Sequence, residues 1–223
     1  MDLNDFQVKL CKRNDIVKFI EKNHYSKSVN GVKSNFCFKL VYNNTIIGAI
    51  MFGEIAMKDV WKKYVDDENK IIELRRLCCI DDTPKNTESY FISKCIRWLK
   101  NNTHIEKIIS YADNEYNHTG IIYQASHFKF LGETLSSKVI IYNNKIYHDK
   151  TIRTTFNGKL KPFAKKIKDA LELGTAKYHI TKTKNIYLYD LKSVRKKKIK
   201  DIINYSNSEI YLERQICNNL DNF

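Results

Sequence analysis

Proline and glycine are scarce in this chain, with two prolines and seven glycines among 223 residues. That excludes collagen-like and proline-rich designs and leaves no Pro/Gly/Ser linker. One compact domain is therefore expected over residues 1–191, followed by a basic extension over residues 192–223. No apolar run approaches the roughly 18 residues of a membrane span. The first residues, MDLNDFQVKL, show neither a basic-then-apolar signal pattern nor a small-residue cleavage site, so export and a membrane partner are not expected and a cytoplasmic location is. The six cysteines (Cys11, Cys37, Cys78, Cys79, Cys95, Cys217) contain no C-x-x-C pair and no disulfide framework, which points to reduced, largely buried thiols. There is no internal repeat.

Positive charge is abundant. Lys and Arg number 39 against 25 Asp and Glu, a net charge of +14. Residues 150–223 hold 17 Lys and Arg against 7 Asp and Glu, so +10 of the +14 lies in the last third. Such asymmetry is the footprint of a polyanionic partner, with nucleic acid the leading candidate. Arg153, Arg195, Lys196, Lys197 and Lys198 are the expected phosphate contacts. The competing reading is a solvated lysine-rich surface from an AT-rich genome, since Asn and Ile are abundant as well. A homodimer is compatible with these features.

Residues 73–132 organise the rest. They read as a strand (73–80), a polar loop, a helix (about 86–101), a strand (105–112) and a second helix (about 118–128). The first helix carries Phe91, Ile92, Cys95, Ile96 and Leu99 as one apolar stripe, and Thr83-Pro84 reads as its cap and first residue. Two strands joined through a helix are expected to be parallel and right-handed. Upstream, Asn14 reads as the cap of a short helix over 15–21, followed by the polar loop His24-Tyr25-Ser26. Strand patterns at 36–42 and 45–53 flank Asn43-Asn44, a tight hairpin turn, and Gly48 and Gly53 suggest a bulge or a close backbone approach. Residues 57–70 form a charged insertion. Downstream come a hairpin around Asn143-Asn144, an amphipathic helix over 162–173 ending at Gly174, and a late hairpin from 178–181 and 185–191.

The resulting order, αββ then βαβα then β, resembles the GNAT fold of acyl-CoA-dependent N-acyltransferases, an α/β fold with a mixed sheet whose two central parallel strands splay apart. The run from Asn117 through Tyr123 and Phe128 to Gly132 is similar to the GNAT pattern N-x-x-a-x-x-L-Y-x-x-x-G-F-x-x-x-G, with His127 at the usual glycine. The pyrophosphate-binding glycine loop of that fold is replaced here by Asp81-Asp82-Thr83-Pro84-Lys85-Asn86-Thr87-Glu88-Ser89.

A narrower resemblance rests on five motifs in order: His24-Tyr25-Ser26, Glu73-Leu-Arg-Arg76-Leu77, Pro84-Lys-Asn86-Thr-Glu-Ser89, Tyr111-Ala112-Asp113, and His118-Thr119-Gly120 with Tyr123. Together they resemble the Mom family of phage proteins, GNAT-like enzymes that convert adenine N6 in double-stranded DNA to a carbamoylmethyl (acetamido) form and so protect phage DNA from restriction. The resemblance implies catalytic roles for His24, Tyr25, Arg76, Ser89, Asp113 and Tyr123. It implies binding of acetyl-CoA or a related acyl-CoA near Lys85, Asn86, Ser89 and Tyr123, and an iron ion on which His24 and Asp113 would serve as ligands. Strand alternation, together with the family pattern, selects Arg76 over Arg75 as the cleft arginine. Two other readings stand beside this one: a conventional acetyltransferase acting on a protein or small amine, and a non-enzymatic DNA-binding protein on the same scaffold.

Overall fold

In the computed structural model the described residues are 1–192, so Arg195, Lys196, Lys197, Lys198 and nearly all of the expected extension lie outside them. In chain order the described elements are β1 (Gln7–Cys11), α1 (Arg13–Asn23), β2 (Phe36–Tyr42), β3 (Thr45–Gly53), β4 (Ile71–Cys79), α2 (Thr87–Asn102), β5 (Lys107–Asp113), α3 (Ile121–Ala125), β6 (Lys129–Glu133), β7 (Lys138–Tyr142), β8 (Lys145–His148), β9 (Thr155–Phe156), β10 (Lys159–Leu160), α4 (Pro162–Glu172), β11 (Lys177–Ile180) and β12 (Lys184–Asp190). A seven-stranded mixed sheet runs β1-β2-β3-β4-β5-β12-β6, with only β4 and β5 parallel. This is the α/β architecture expected from the element order.

Each face of the sheet carries its own core. On one side the α2 stripe of Phe91, Ile92, Cys95, Ile96 and Leu99 is buried against Phe38, Leu40, Phe52, Leu74 and Ile108. On the other, Ile16 and Ile20 of α1 pack on Val29, Val32, Ala49, Met51 and Cys78. The Asn43-Asn44 turn has φ of 45° and 60°, the left-handed pair that a two-residue hairpin requires. Gly53 is a close approach as expected, since a Cβ there would sit 1.8 Å from the Lys33 carbonyl oxygen.

Several local expectations are corrected. Helix α1 starts after Lys12, whose backbone N–H donates to Asp15 Oδ2 (3.2 Å); Asn14 lies inside the first turn and is not the cap. Helix α2 starts at Thr87, three residues after Pro84, because Asn86 takes a left-handed conformation (φ 70°) and the Thr83 hydroxyl donates to the Ile80 carbonyl. The second helix shrinks to Ile121–Ala125: Gly120 (φ 84°) and His127 (φ 63°) break the chain on either side. The late hairpin does not form. β11 joins β7 and β8 in a separate three-stranded sheet, while β12 crosses to lie between β5 and β6.

Two features of the main sheet shape the site. β4 and β5 share a ladder only from Ile71–Lys107 to Leu74–Ser110. Beyond it, 75–79 and 111–113 are held by β3 and β12, leaving a V-shaped opening between them. In addition, the β3–β4 register shifts at Met51/Phe52, so Arg75 is an extra residue in β4. Leu74 and Leu77 consequently both face the α2 core although they are three residues apart. Strict alternation fails here, and Arg75 and Arg76 both leave that core.

Residues 138–180 form an inserted lobe between β6 and β12. The sheet β11-β7-β8 covers α4 through its own small core of Ile140, Ile167, Ala170 and Ala176.

Candidate active site

Four of the expected residues converge on Tyr25, at the mouth of the V. His24 ends α1 and its ring lies against Tyr25, with ring centroids 4.2 Å apart. Tyr116 and His118, from the loop after β5, close the other sides of the Tyr25 ring at 4.5 and 4.6 Å. The Tyr25 phenol lies within electrostatic reach of Asp113, Tyr123 and Arg76. Although Tyr25 is 38% exposed, burial of its surroundings pushes its pKa up to about 12, with Asp113 and Tyr123 adding to the shift. At neutral pH it is a phenol donor.

His24 is 6% exposed. The Ser26 backbone N–H donates to its Nδ1 (3.1 Å) and the Ser26 hydroxyl also lies 2.8 Å away, which places the ring proton on Nε2. Burial, followed by Arg76 and His118, lowers its pKa to about 4. The ring is a neutral Nε2–H donor with Nδ1 already taken, which does not suit the role of general base.

Arg76 donates from Nε to the Ser28 carbonyl (3.2 Å) and from Nη1 to the Arg75 carbonyl (2.7 Å). Burial lowers its pKa, but a guanidinium remains charged at neutral pH. Arg75 turns instead to Glu73, with Nη1 3.0 Å from Oε2. It borders a groove of about 1010 Å³ beneath residues 54–69, which none of the six expected catalytic residues lines.

Asp113 is 8% exposed and ends β5. Its Oδ1 accepts the Glu115 N–H (3.1 Å) and its Oδ2 meets Lys184 Nζ at 2.6 Å, so the carboxylate is both turn cap and ion-pair partner. Lys184 was not foreseen. It lies 71 positions away and is brought opposite Asp113 only by the antiparallel β5–β12 pairing. Tyr123 reaches the V from α3. It is buried at the end of the β4–β5 ladder beside Ser110, whose hydroxyl donates to the Leu74 carbonyl (3.3 Å); burial raises the Tyr123 pKa, opposed by its hydrogen bond with Ser110. Its ring stacks on Phe128 and Tyr187 at 5.6 and 5.3 Å. Tyr187 in turn donates to the Thr119 carbonyl (2.7 Å) and passes so close to Gly120 that a Cβ there would lie 2.2 Å from its ring.

Ser89 lies in the first turn of α2, where its hydroxyl donates to the Asn86 carbonyl (3.0 Å), a local helix-start bond. Lys85 and Asn86 are exposed in the loop before it. Arg153 is exposed on the inserted lobe and ion-paired to Asp149.

The donor set does not fit iron. His24 Nδ1 is filled by a backbone N–H, so ligation through Nε2 would leave two protons facing each other at Nδ1. At Asp113, Oδ2 already pairs with the Lys184 ammonium and Oδ1 accepts the Glu115 N–H, so a metal cation there would be set against a fixed positive charge. Among the described residues no cluster of three His, Cys, Asp or Glu could hold a metal ion. For an acyl-CoA the fit is divided. The unpaired facing edges of β4 and β5 suit an extended thioester arm. The start of α2 does not suit a diphosphate, because Asp81, Asp82 and Glu88 surround Lys85 in sequence and the Thr87 N–H already donates to the Pro84 carbonyl (3.3 Å).

Similar solved structures include a Bacillus subtilis acetyltransferase in complex with CoA (10% identity, TM-score 0.49, 83% of this chain and 98% of that one). Another is the ribosomal-protein-S5-alanine acetyltransferase of Vibrio fischeri (12% identity, TM-score 0.49, 85% and 95%). In sequence the chain is 29% identical over 145 residues to the methylcarbamoylase Mom of Escherichia phage Mu, spanning 62% of this chain and 58% of that protein. The Mom protein family matches residues 5–208, far more than half of the sequence, and the chain belongs to that family.

Proposed function

We propose that this protein is a DNA-modifying transferase that converts adenine N6 in double-stranded DNA to an acetamido form, shielding that DNA from restriction. Family membership and the name of the phage Mu relative support the substrate class. What supports the reading is the parting of β4 from β5 after Leu74, together with a Tyr25 phenol within electrostatic reach of Asp113, Tyr123 and Arg76.

Adenine N6 is a weak nucleophile because its lone pair is delocalised into the ring, and inside a duplex it is out of reach. The base must be extruded and held. The Tyr25, Tyr116 and His118 rings supply a stacking wall. Asp113, fixed by Lys184 at the end of a strand, accepts an N6–H and so directs the nitrogen lone pair toward the V. Arg76 offers charge to an oxyanion that forms there, and the neutral Tyr25, Tyr123 and His24 Nε2–H are donors that need not change protonation at pH 7. To reach the acetamido product, an acyl thioester lying along the open strand edges would need a leaving group on its α-carbon, displaced as the N6–CH2 bond forms, and an ammonia-level nitrogen to expel the thiolate and make the amide.

Nucleosides from a plasmid co-expressed with the protein, analysed by mass spectrometry, test this. A new adenosine adduct is expected from wild type and none from Asp113→Ala. Acetylation of protein or small amines with unmodified DNA would favour a conventional acetyltransferase. Tight DNA binding by both proteins without an adduct would mark a non-enzymatic DNA-binding protein, the reading that the acidic start of α2 favours.

A further inference from the structure

The inserted lobe is unlike the rest of the molecule. Residues 138–180 hold ten Lys and Arg against three Asp and Glu, so a 43-residue insertion carries +7 of the net charge. From the lobe projects a two-residue-per-strand hairpin, the smallest among the described residues, β9 and β10 closed by Asn157 and Gly158 at φ 50° and 73°. Nothing lies within 4 Å of where a Gly158 Cβ would stand, so the tip is in open space. Beside the tip sits Phe156, 69% exposed, with Lys159 as its cross-strand partner. Between 149 and 169 the chain carries seven cations and two acids, one of which, Asp149, is already paired with Arg153 and His148. A two-residue-per-strand ribbon gains little from exposing a phenyl ring to water. An apolar side chain on a narrow ribbon flanked by cations is the form that DNA-opening wedges take. The cations hold phosphates while the ring enters between base steps.

The lobe is also tied to the loop after β5. His179 Nε2 lies 3.0 Å from Glu115 Oε1, the Lys182 N–H donates to Glu115 Oε2 (2.8 Å), and Asn114 Nδ2 reaches Thr183 Oγ1 at 3.2 Å. These bonds strap the segment leaving the lobe onto the turn that follows Asp113.

We propose that the inserted lobe grips duplex DNA through its cations and that Phe156 is the wedge that enters the base stack and fills the space left by an extruded base. The inference takes its partner, DNA, from the function proposed above. Any flipped base leaves a gap whose unstacking must be offset, and a ring inserted there does so.

The test uses the full chain, Phe156→Ala and Phe156→Trp, on A·T-rich duplexes carrying 2-aminopurine. Wild type should raise 2-aminopurine fluorescence on duplex. Phe156→Ala should bind duplex within about twofold of wild type yet lose that rise, and its plasmid adduct should fall by about tenfold or more. Phe156→Trp should restore both, and binding to single strands should be the same for all three. Lys159→Glu with Lys161→Glu should instead weaken duplex binding and flatten its log–log salt slope by about 2. Unchanged adduct and fluorescence in Phe156→Ala would overturn the wedge. So would equal loss of single- and double-strand binding, or loss of self-association in sedimentation as the only change. Duplex opening by a wild type that leaves no adduct would retain the wedge and refute the enzymatic function.

Discussion

Lowering the pH is a direct probe of His24. In the folded protein its pKa is lowered from 6.5 to about 4, by burial first and then by Arg76, His118 and Lys27. The unfolded chain therefore takes up a proton below pH 6.5 that the folded chain refuses until about pH 4. The stability contributed by the neutral ring is whole above pH 6.5 and is lost as pH falls through that window. The limit is about 3 kcal/mol, and at pH 5 the loss is about 2 kcal/mol. Urea unfolding of wild type and His24→Gln at pH 8 and pH 5 isolates this contribution, because other titrating groups are common to both. The wild-type difference between the two pH values should exceed that of the variant by about 2 kcal/mol. Long-range ¹⁵N–¹H spectra should show Nδ1 unprotonated and the proton on Nε2 throughout pH 6–8. An imidazole titrating at pH 6 or above, or a proton on Nδ1, would refute both the neutral-donor role and the argument against a metal at this residue.

Gly120→Ala should destabilise the fold by about 2–4 kcal/mol, because φ is 84° and the new Cβ would strike a Tyr187 ring that is 1% exposed and tethered to Thr119. Thermal melts showing less than about 1 kcal/mol would mean that Tyr187 moves aside. Lys184→Met should abolish most adduct formation and cost about 1–2 kcal/mol, modest because the ammonium is 44% exposed. Adduct levels equal to wild type would remove Lys184 from the site. Duplex affinity should fall steeply with salt, with a log–log slope of roughly −7 if about eight phosphates are contacted. A flat response between about 50 and 300 mM would dismiss the electrostatic reading of the lobe.

Local pattern decided a good deal. The α2 stripe, the β2–β3 hairpin over Asn43-Asn44 and the β7–β8 hairpin over Asn143-Asn144 are dictated by side-chain period and by residues that tolerate positive φ, information carried by neighbours in the chain. The grouping of His24, Tyr25, Arg76, Asp113 and Tyr123 was legible only through motif resemblance, since nothing in their spacing announces proximity. What tertiary structure alone decided is long-range. Splaying of β4 from β5 after Leu74 follows from each strand keeping its outer partner. The bulge that puts Arg75 and Arg76 on one side depends on the β3 register, and strict alternation could not reveal it. The second helix is shorter than its local pattern and the late hairpin does not pair, because left-handed residues and a sheet crossover override that pattern. Lys184 on Asp113 is a contact between positions 71 apart, made by strand pairing, and an ammonium so placed leaves no local trace in the sequence.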